Sequence, residues 1–162
     1  MPTGSPPLDE ALGGGLPCGL VAEVFGPADS GKGDLMLRAL ASVQRAGGTC
    51  AFIGHLDTAR AEQAGVDLGA VLVSQPDSDE QGLDIAEMLA RTGAIALIMV
   101  VLSDEPTARF DTSDVPMMQH ARRMNGALRR LTAVAWRTTC AVVFVCDRPG
   151  HGSLTTALKF YS

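Results

Sequence analysis

A glycine-rich segment, GPADSGKG at residues 26–33, constrains this chain more than any other feature of its sequence. An apolar run typical of a strand precedes it at residues 20–25, and apolar residues with helical spacing follow it at residues 32–46. Glycines let successive backbone N–H groups point inward, and the following helix adds its positive end, so such a loop binds phosphate. The spacing GxxxxGK in this setting predicts a P-loop.

The loop departs from a working Mg-ATP site at its end. Lys32 would reach the outer phosphates, but Gly33 stands where the pattern has Ser or Thr, whose hydroxyl ligates Mg²⁺. Asp34 adds a negative charge near the expected phosphate. We therefore expect no required cofactor and at most weak binding of ATP, ADP or phosphate; the alternative is a loop that serves only as a folding turn. The residues of this vestigial nucleotide site are Gly26, Asp29, Ser30, Gly31, Lys32, Gly33 and Asp34.

Strand-like and helix-like patterns alternate along the rest of the chain. This alternation favours an α/β fold with a mostly parallel central sheet and helices on both faces. Continuous apolar runs at residues 96–102 and 140–146 are typical of strands buried on both faces. We expect further strands at 50–53, 71–74 and 157–161, and further helices at 58–64, 79–91 and 116–137. Residues 1–19, rich in Pro and Gly, are predicted to be an N-terminal arm or loop, and residues 20–162 one domain.

Composition excludes several classes of protein. The net charge of −5 argues against a protein that binds DNA through its overall charge. The sequence has no 18-residue apolar run and no signal peptide, so we expect a cytoplasmic protein with no membrane contact. The four cysteines form no CxxC pair and the three histidines are scattered. We therefore expect buried free thiols, without disulfides or a metal site.

The predicted helix at residues 116–137 carries two patterns. An inward apolar stripe consists of Met117, Ala121, Met124, Leu128, Leu131 and Ala135. A basic face, expected on the outer side, consists of Arg122, Arg123, Arg129, Arg130 and Arg137. This face is either simply solvated or contacts DNA phosphate or an acidic partner, because Arg forms bidentate pairs with such anions. Trp136, near the helix end, is either a core or an interface residue.

Several long segments resemble the RecA recombinase family. They are LDEALGGGLPCG at 8–19, GGTCAFI at 47–53, GVDL at 65–68, LVSQPDSDEQGLDIAEMLARTGAI at 72–95, ALRRLT at 127–132 and ALKFY at 157–161. The resemblance covers nearly the whole chain and implies a RecA-like P-loop NTPase core. In the family an N-terminal helix and strand precede this core and pack on the neighbouring subunit, and a C-terminal domain follows it. We expect both elements to be missing here.

The resemblance also implies that the groups needed for ATP hydrolysis have changed. The family has a catalytic Glu after the second strand, where this chain reads IGHLD at 53–57. Val101 stands where the family has an acid of the Mg²⁺ shell, Asp147 where it has a Gln that senses the terminal phosphate, and Arg60 where it has an adenine-stacking aromatic. Together with Gly33, these changes remove a ligand of Mg²⁺, an acid of the Mg²⁺ shell, the residue that activates water and the residue that senses the terminal phosphate. Each such loss typically costs about 2–4 kcal/mol in barrier, so we predict a pseudo-ATPase rather than an enzyme.

For function, the resemblance implies a non-catalytic regulator in the DNA-damage (SOS) response and translesion synthesis. Such a protein would bind and inhibit RecA filaments, or bridge RecA to a mutagenic polymerase complex. In general character it resembles the ImuA proteins, which act with an ImuB-type adaptor and an error-prone polymerase. Because the Phe of ALKFY lies at the subunit interface in the family, Lys159, Phe160 and Tyr161 are the expected partner interface. The alternative for Phe160 is a core position at a strand end.

Two other functions remain open at this point. The first is a divergent DNA-dependent ATPase or recombinase, in which Asp34, Asp57 or Asp104 would supply the metal shell. The second is a non-catalytic DNA-binding module that uses the arginine helix. For the non-catalytic regulator, by contrast, we expect contact with single-stranded DNA to be weak or indirect.

Overall fold

The computed structural model describes residues 1–27, 29–102, 115–147 and 156–159. The elements in chain order are α1 (Pro6–Ala11), β1 (Val21–Phe25), α2 (Lys32–Arg45), β2 (Cys50–Ile53), α3 (Thr58–Gln63), a 3₁₀ turn (Leu68–Ala70), β3 (Val71–Ser74), α4 (Asp79–Arg91), β4 (Leu97–Val101), α5 (Val115–Thr138), β5 (Ala141–Cys146) and β6 (Thr156–Lys159). Within the described chain, strands and helices fall where the hydrophobic pattern predicts them, apart from α1.

The sheet has six strands in the order β3-β2-β4-β5-β1-β6, and each pair of neighbours is parallel. Every residue of β1, β2 and β5 is buried, as a strand covered on both faces requires. Side chains alternate between the two faces: Phe52 packs with the buried face of α2, whereas Ile53 packs with α4 and α5. The predicted α/β class, with a parallel sheet between two helical layers, is confirmed.

The N-terminal segment differs from the predicted arm or loop, because it contains helix α1. Pro6 stands at the first helical position, where its fixed φ suits the helix and its missing N–H costs nothing. The terminal ammonium of Met1 donates to the carbonyl of Leu16 at 2.9 Å, and the Thr3 N–H donates to the Asp9 carboxylate at 2.7 Å. Leu16 belongs to the core. These contacts tie the segment to the body of the protein.

Helix α5 buries the apolar stripe predicted for it where the side chains are described, namely Met124, Leu128, Leu131 and Ala135. The side chains of Met117 and Ala121 lie outside the description. Trp136 is 73% exposed and is therefore not a core residue. Packing of α5 against α4 forms the main helix–helix contact of this layer.

All four cysteines are free. The prediction of buried thiols is right for Cys50, Cys140 and Cys146 and wrong for Cys18, which is exposed because it lies in the turn before β1 rather than in a strand. Burial raises the pKa of Cys50 to about 11 and, with a smaller contribution from nearby thiols, that of Cys140 to about 12.

No helix in the described part of the chain has the length and apolar character needed to cross a bilayer. Nor do the described residues bring together three or more His, Cys, Asp or Glu side chains that could hold a metal ion.

Candidate functional site

The glycine loop connects the carboxyl end of β1 to the N-terminus of α2, which is where open α/β sheets place ligands. Strand β1 lies between β5 and β6, so the ends of both neighbours border the loop. Gly31 precedes the first residue of α2 and has φ +79°, a left-handed conformation that glycine adopts without strain. The strand–loop–helix arrangement predicted from the sequence is present, although Ala28 lies outside the description.

Lys32 does not point into solvent. Its side chain is only 7% exposed, and its ammonium donates to the carbonyls of Gly26 at 2.8 Å and Pro27 at 3.0 Å. It also forms an ion pair and hydrogen bond with the carboxylate of Asp147, the residue that follows β5. Asp147 was predicted only to replace the phosphate-sensing Gln of the family; the structure brings it into contact with the loop lysine.

The charged residues beside the start of α2 are also paired. Asp34, in the first turn, accepts from the guanidinium of Arg60 on α3 at 2.7 Å. Asp57 caps α3 by accepting from the Arg60 backbone N–H at 3.1 Å. Asp34, Asp57 and Asp104 were the three acids that could replace the missing Mg²⁺ shell. Asp34 and Asp57 both form hydrogen bonds with Arg60, and Asp104 lies outside the described residues.

The described residues at the positions expected to hold Mg²⁺ do not fit the ion. A Cβ on Gly33 would meet no atom within 4 Å, so the site has room for the missing side chain but no hydroxyl. At the end of β4, Val101 offers no oxygen. Directly after β2, Gly54 has φ +134°, and a Cβ there would lie 2.9 Å from the Val101 Cβ. Among the described residues of the loop, Ser30 has a buried hydroxyl without a hydrogen-bond partner, and this oxygen is available to a ligand. We derive no step of ATP hydrolysis through these residues.

Two of the five predicted arginines lie beside acidic residues of helix α4, although both side chains remain more than half exposed. Arg130 donates from Nε to Glu87 at 2.9 Å and lies 3.6 Å from a carboxylate oxygen of Asp84. Arg123 lies 3.9 Å from a carboxylate oxygen of Glu80. The heptad spacing of these arginines did not reveal this pairing, because the acidic partners belong to a different helix.

Arg129 and Arg137 are exposed and form no ion pair within the described residues, whereas the side chain of Arg122 lies outside the description. Trp136 is exposed next to Arg137. The exposed basic residues of α5 thus include Arg129 and Arg137, next to an exposed aromatic ring.

Glu87 is a buried acid that reasoning from the sequence missed. Its carboxylate accepts two hydrogen bonds from Arg91, at 3.1 and 2.6 Å, and one from Arg130. These bonds, those from Arg91 foremost, hold the pKa of Glu87 below its ordinary value despite the opposing effect of burial. The i,i+4 spacing of Glu87 and Arg91 was the available signal.

The predicted partner interface is only partly described. The backbone of Lys159 lies in β6 opposite Phe25 of β1, whereas Phe160 and Tyr161 lie outside the described residues.

Comparisons with known proteins agree with this fold and loop. The chain matches the RecA N-terminal domain over residues 1–151. It is 42% identical over 181 residues to Protein RecA of Desulfovibrio desulfuricans, 48% over 178 to that of Acinetobacter baylyi and 44% over 179 to that of Sulfurimonas denitrificans. These alignments cover 100%, 99% and 99% of this chain but 50%, 51% and 52% of the relatives. The chain thus spans about half the length of these relatives.

The aligned stretches are longer than the 162 residues of the chain, so the relatives carry insertions relative to it. High identity across nearly the entire chain, together with a parallel sheet and a glycine loop in the expected place, leaves one assignment: this chain belongs to the RecA family.

Proposed function

We propose that this chain is a non-catalytic regulator of RecA in the response to DNA damage, and that it binds RecA and lowers the activity of RecA filaments. The observation that carries the proposal is a RecA-family core in which neither Gly33 of the glycine loop nor Val101 at the end of β4 offers a side-chain oxygen to Mg²⁺. Phosphoryl transfer depends almost entirely on positioning and charge stabilisation, so a core without these groups is a pseudo-ATPase. In a second form of the proposal, the chain bridges RecA to an error-prone polymerase through an ImuB-type adaptor.

The edge strand β3 offers a surface for docking on RecA. In the described sheet, β3 has a neighbour on one side only, so its outer edge presents unpaired backbone donors and acceptors. Leu72 and Val73 on this strand are 49% and 47% exposed. An extended segment of a partner can add to such an edge as a further strand. RecA subunits carry an N-terminal strand that packs on a neighbour, and we propose that this strand is the occupant.

The test combines RecA-catalysed strand exchange with direct binding of purified RecA. Excess wild-type protein is expected to lower the rate of strand exchange. Val73→Lys should weaken both binding and inhibition, because a charge at an exposed edge strand opposes strand addition without disturbing the core. Met88→Lys is the matched control, since Met88 is exposed on α4, away from this edge. Unchanged strand exchange with the wild-type protein in excess would contradict the proposal.

DNA binding by helix α5 is a second candidate, favoured by the exposed Arg129, Arg137 and Trp136. Arginine contacts phosphate, and an aromatic ring stacks on unpaired bases. Arg129→Gln should lower the slope of log affinity against log salt by about 0.7–0.9, the effect of one lost phosphate contact. Arg130→Gln, which removes the same charge from a side chain paired with Glu87 and Asp84 of α4, should leave the slope unchanged. Equal effects of both variants would argue against a defined DNA surface.

A further inference from the structure

The ammonium of Lys32 has all its hydrogen-bond donors engaged within the chain. An ammonium carries three N–H donors, and the three acceptors around Lys32 are the carbonyls of Gly26 and Pro27 and the carboxylate of Asp147. The lysine side chain is almost wholly buried. A phosphate oxygen can therefore reach this ammonium only by displacing one of the three acceptors.

Asp147 is the acceptor that resembles phosphate. The two carbonyls belong to the loop itself, whereas Asp147 comes from another strand and carries a negative charge. Its position follows from the sheet: Phe25 of β1 is paired with Cys146 of β5, so the next residue of each strand, Gly26 and Asp147, lies at the same edge. The contact is thus set by backbone register. A carboxylate oxygen held there by a charge-assisted hydrogen bond supplies what a phosphate oxygen would supply.

A second ion pair compensates charge on the other side of the loop. Arg60, which the resemblance places at the family's adenine-stacking position, pairs with Asp34 in the first turn of α2. Both side chains are more than half exposed, so this pair adds little stability. In the described part of the chain, Lys32 and Arg60 are thus both paired with carboxylates of the same chain.

We infer that Asp147 is an internal anion that takes the place of phosphate at Lys32 and closes the glycine loop to polyphosphate ligands. Asp147 is then a specificity-determining residue of this loop. The inference rests on the proposed non-catalytic function, because it explains how a family phosphate loop is kept from nucleotide.

The experiment measures binding of inorganic tripolyphosphate and of ATP by calorimetry, without Mg²⁺, to the wild-type chain and to Asp147→Asn. The variant should bind tripolyphosphate roughly 10- to 100-fold more tightly, the range expected when one charge-assisted hydrogen bond becomes available to the ligand. A gain of similar size in the affinity for ATP supports the inference, because the loop would contact the phosphates of ATP. A gain for ATP with none for tripolyphosphate would overturn it.

Glu62→Gln is the matched control, because it removes one negative charge from an exposed residue of α3 that is not among the partners of Lys32. It should change the affinity for tripolyphosphate by less than about threefold, as expected for an exposed charge. An equal gain in both variants would show that net charge, not Asp147, limits binding, and would overturn the inference.

A second measurement covers the case in which Asp147→Asn does not fold. If Asp147 already binds the Lys32 ammonium, tripolyphosphate does not contact this lysine in the wild-type chain. Lys32→Met should then leave the weak affinity for tripolyphosphate unchanged. Loss of that affinity in Lys32→Met would overturn the inference. The RecA inhibition assay uses the wild-type protein and does not depend on tripolyphosphate binding. Failure of the binding experiment therefore leaves the proposed function intact, and failure of the inhibition assay leaves the result for Asp147 intact.

Discussion

Glu87 lies between α4 and α5, and Glu87→Gln probes how much this carboxylate stabilises the packing of the two helices. The side chain is 11% exposed. One oxygen accepts from Nε and Nη2 of Arg91, and the other accepts from Nε of Arg130. Glutamine has nearly the same shape, but it has one acceptor oxygen and an NH₂ group. In the variant, this NH₂ group faces a guanidinium, and neither group can accept a hydrogen bond from the other.

The expected loss follows from these contacts. A hydrogen bond to a charged group contributes about 1.5–3 kcal/mol, but Arg91 and Arg130 are both more than half exposed and regain water when the bond is lost. We therefore expect Glu87→Gln to lower the free energy of unfolding by about 1–2 kcal/mol at pH 7. For a chain of this size, that corresponds to a fall of roughly 2–8 °C in Tm.

The pH dependence gives a second readout. Because the folded-state pKa of Glu87 lies below its unfolded value of about 4.3, the unfolded chain binds this proton more readily than the folded protein does. The stabilisation is therefore fully present above the unfolded pKa and is lost as the pH falls through the folded pKa. Wild type and Glu87→Gln should converge in stability as acid is added.

Urea unfolding followed by circular dichroism measures both effects. Glu62→Gln is the control, because Glu62 is an exposed acid on α3 and its replacement should leave the free energy of unfolding within about 0.5 kcal/mol. A Glu87→Gln protein as stable as wild type at pH 7, or a difference that persists below the folded pKa, would refute this account of the α4–α5 contact.

Three further outcomes are expected. Gly31→Ala should destabilise the fold by about 1–2 kcal/mol in urea unfolding, because alanine is strained at φ +79°; an unchanged midpoint would contradict the loop geometry. Gly33→Thr fits the available space but should release no phosphate above background from ATP, since other groups for hydrolysis are still missing; RecA-like turnover would disprove the pseudo-ATPase proposal. In the native protein, Cys18 should react with a thiol reagent at once, whereas Cys50 and Cys140 should react only after unfolding; rapid native labelling of all three would contradict their burial.

The fold was predictable because its signals are local. The apolar runs of β4 and β5 are continuous, and the inward stripe of α5 repeats at helical spacing, so each pattern identifies its own element. Helix α1 was missed because proline and glycine dominate its surroundings, and proline is equally compatible with a loop and with a first helical turn.

The charge pairing of the candidate site was not predictable in the same way. Lys32 and Asp147 are 115 residues apart, and their contact depends on the register between β1 and β5. The sequence marked Lys32 as a candidate phosphate-binding residue and Asp147 as the residue at a family sensor position, but it did not reveal that one neutralises the other. The same holds for Arg130, whose partners Asp84 and Glu87 lie on a neighbouring helix.

The close approach of residue 54 to Val101 bears on the evolution of this chain. A side chain reintroduced directly after β2 would collide with the branched side chain at the end of β4, and its backbone would be strained in the left-handed region. The collision disappears only when Val101 is replaced by a smaller residue. Substitutions at these two positions are therefore order-dependent: a side chain at residue 54 is tolerated after Val101 has changed, whereas the opposite order passes through a less stable protein.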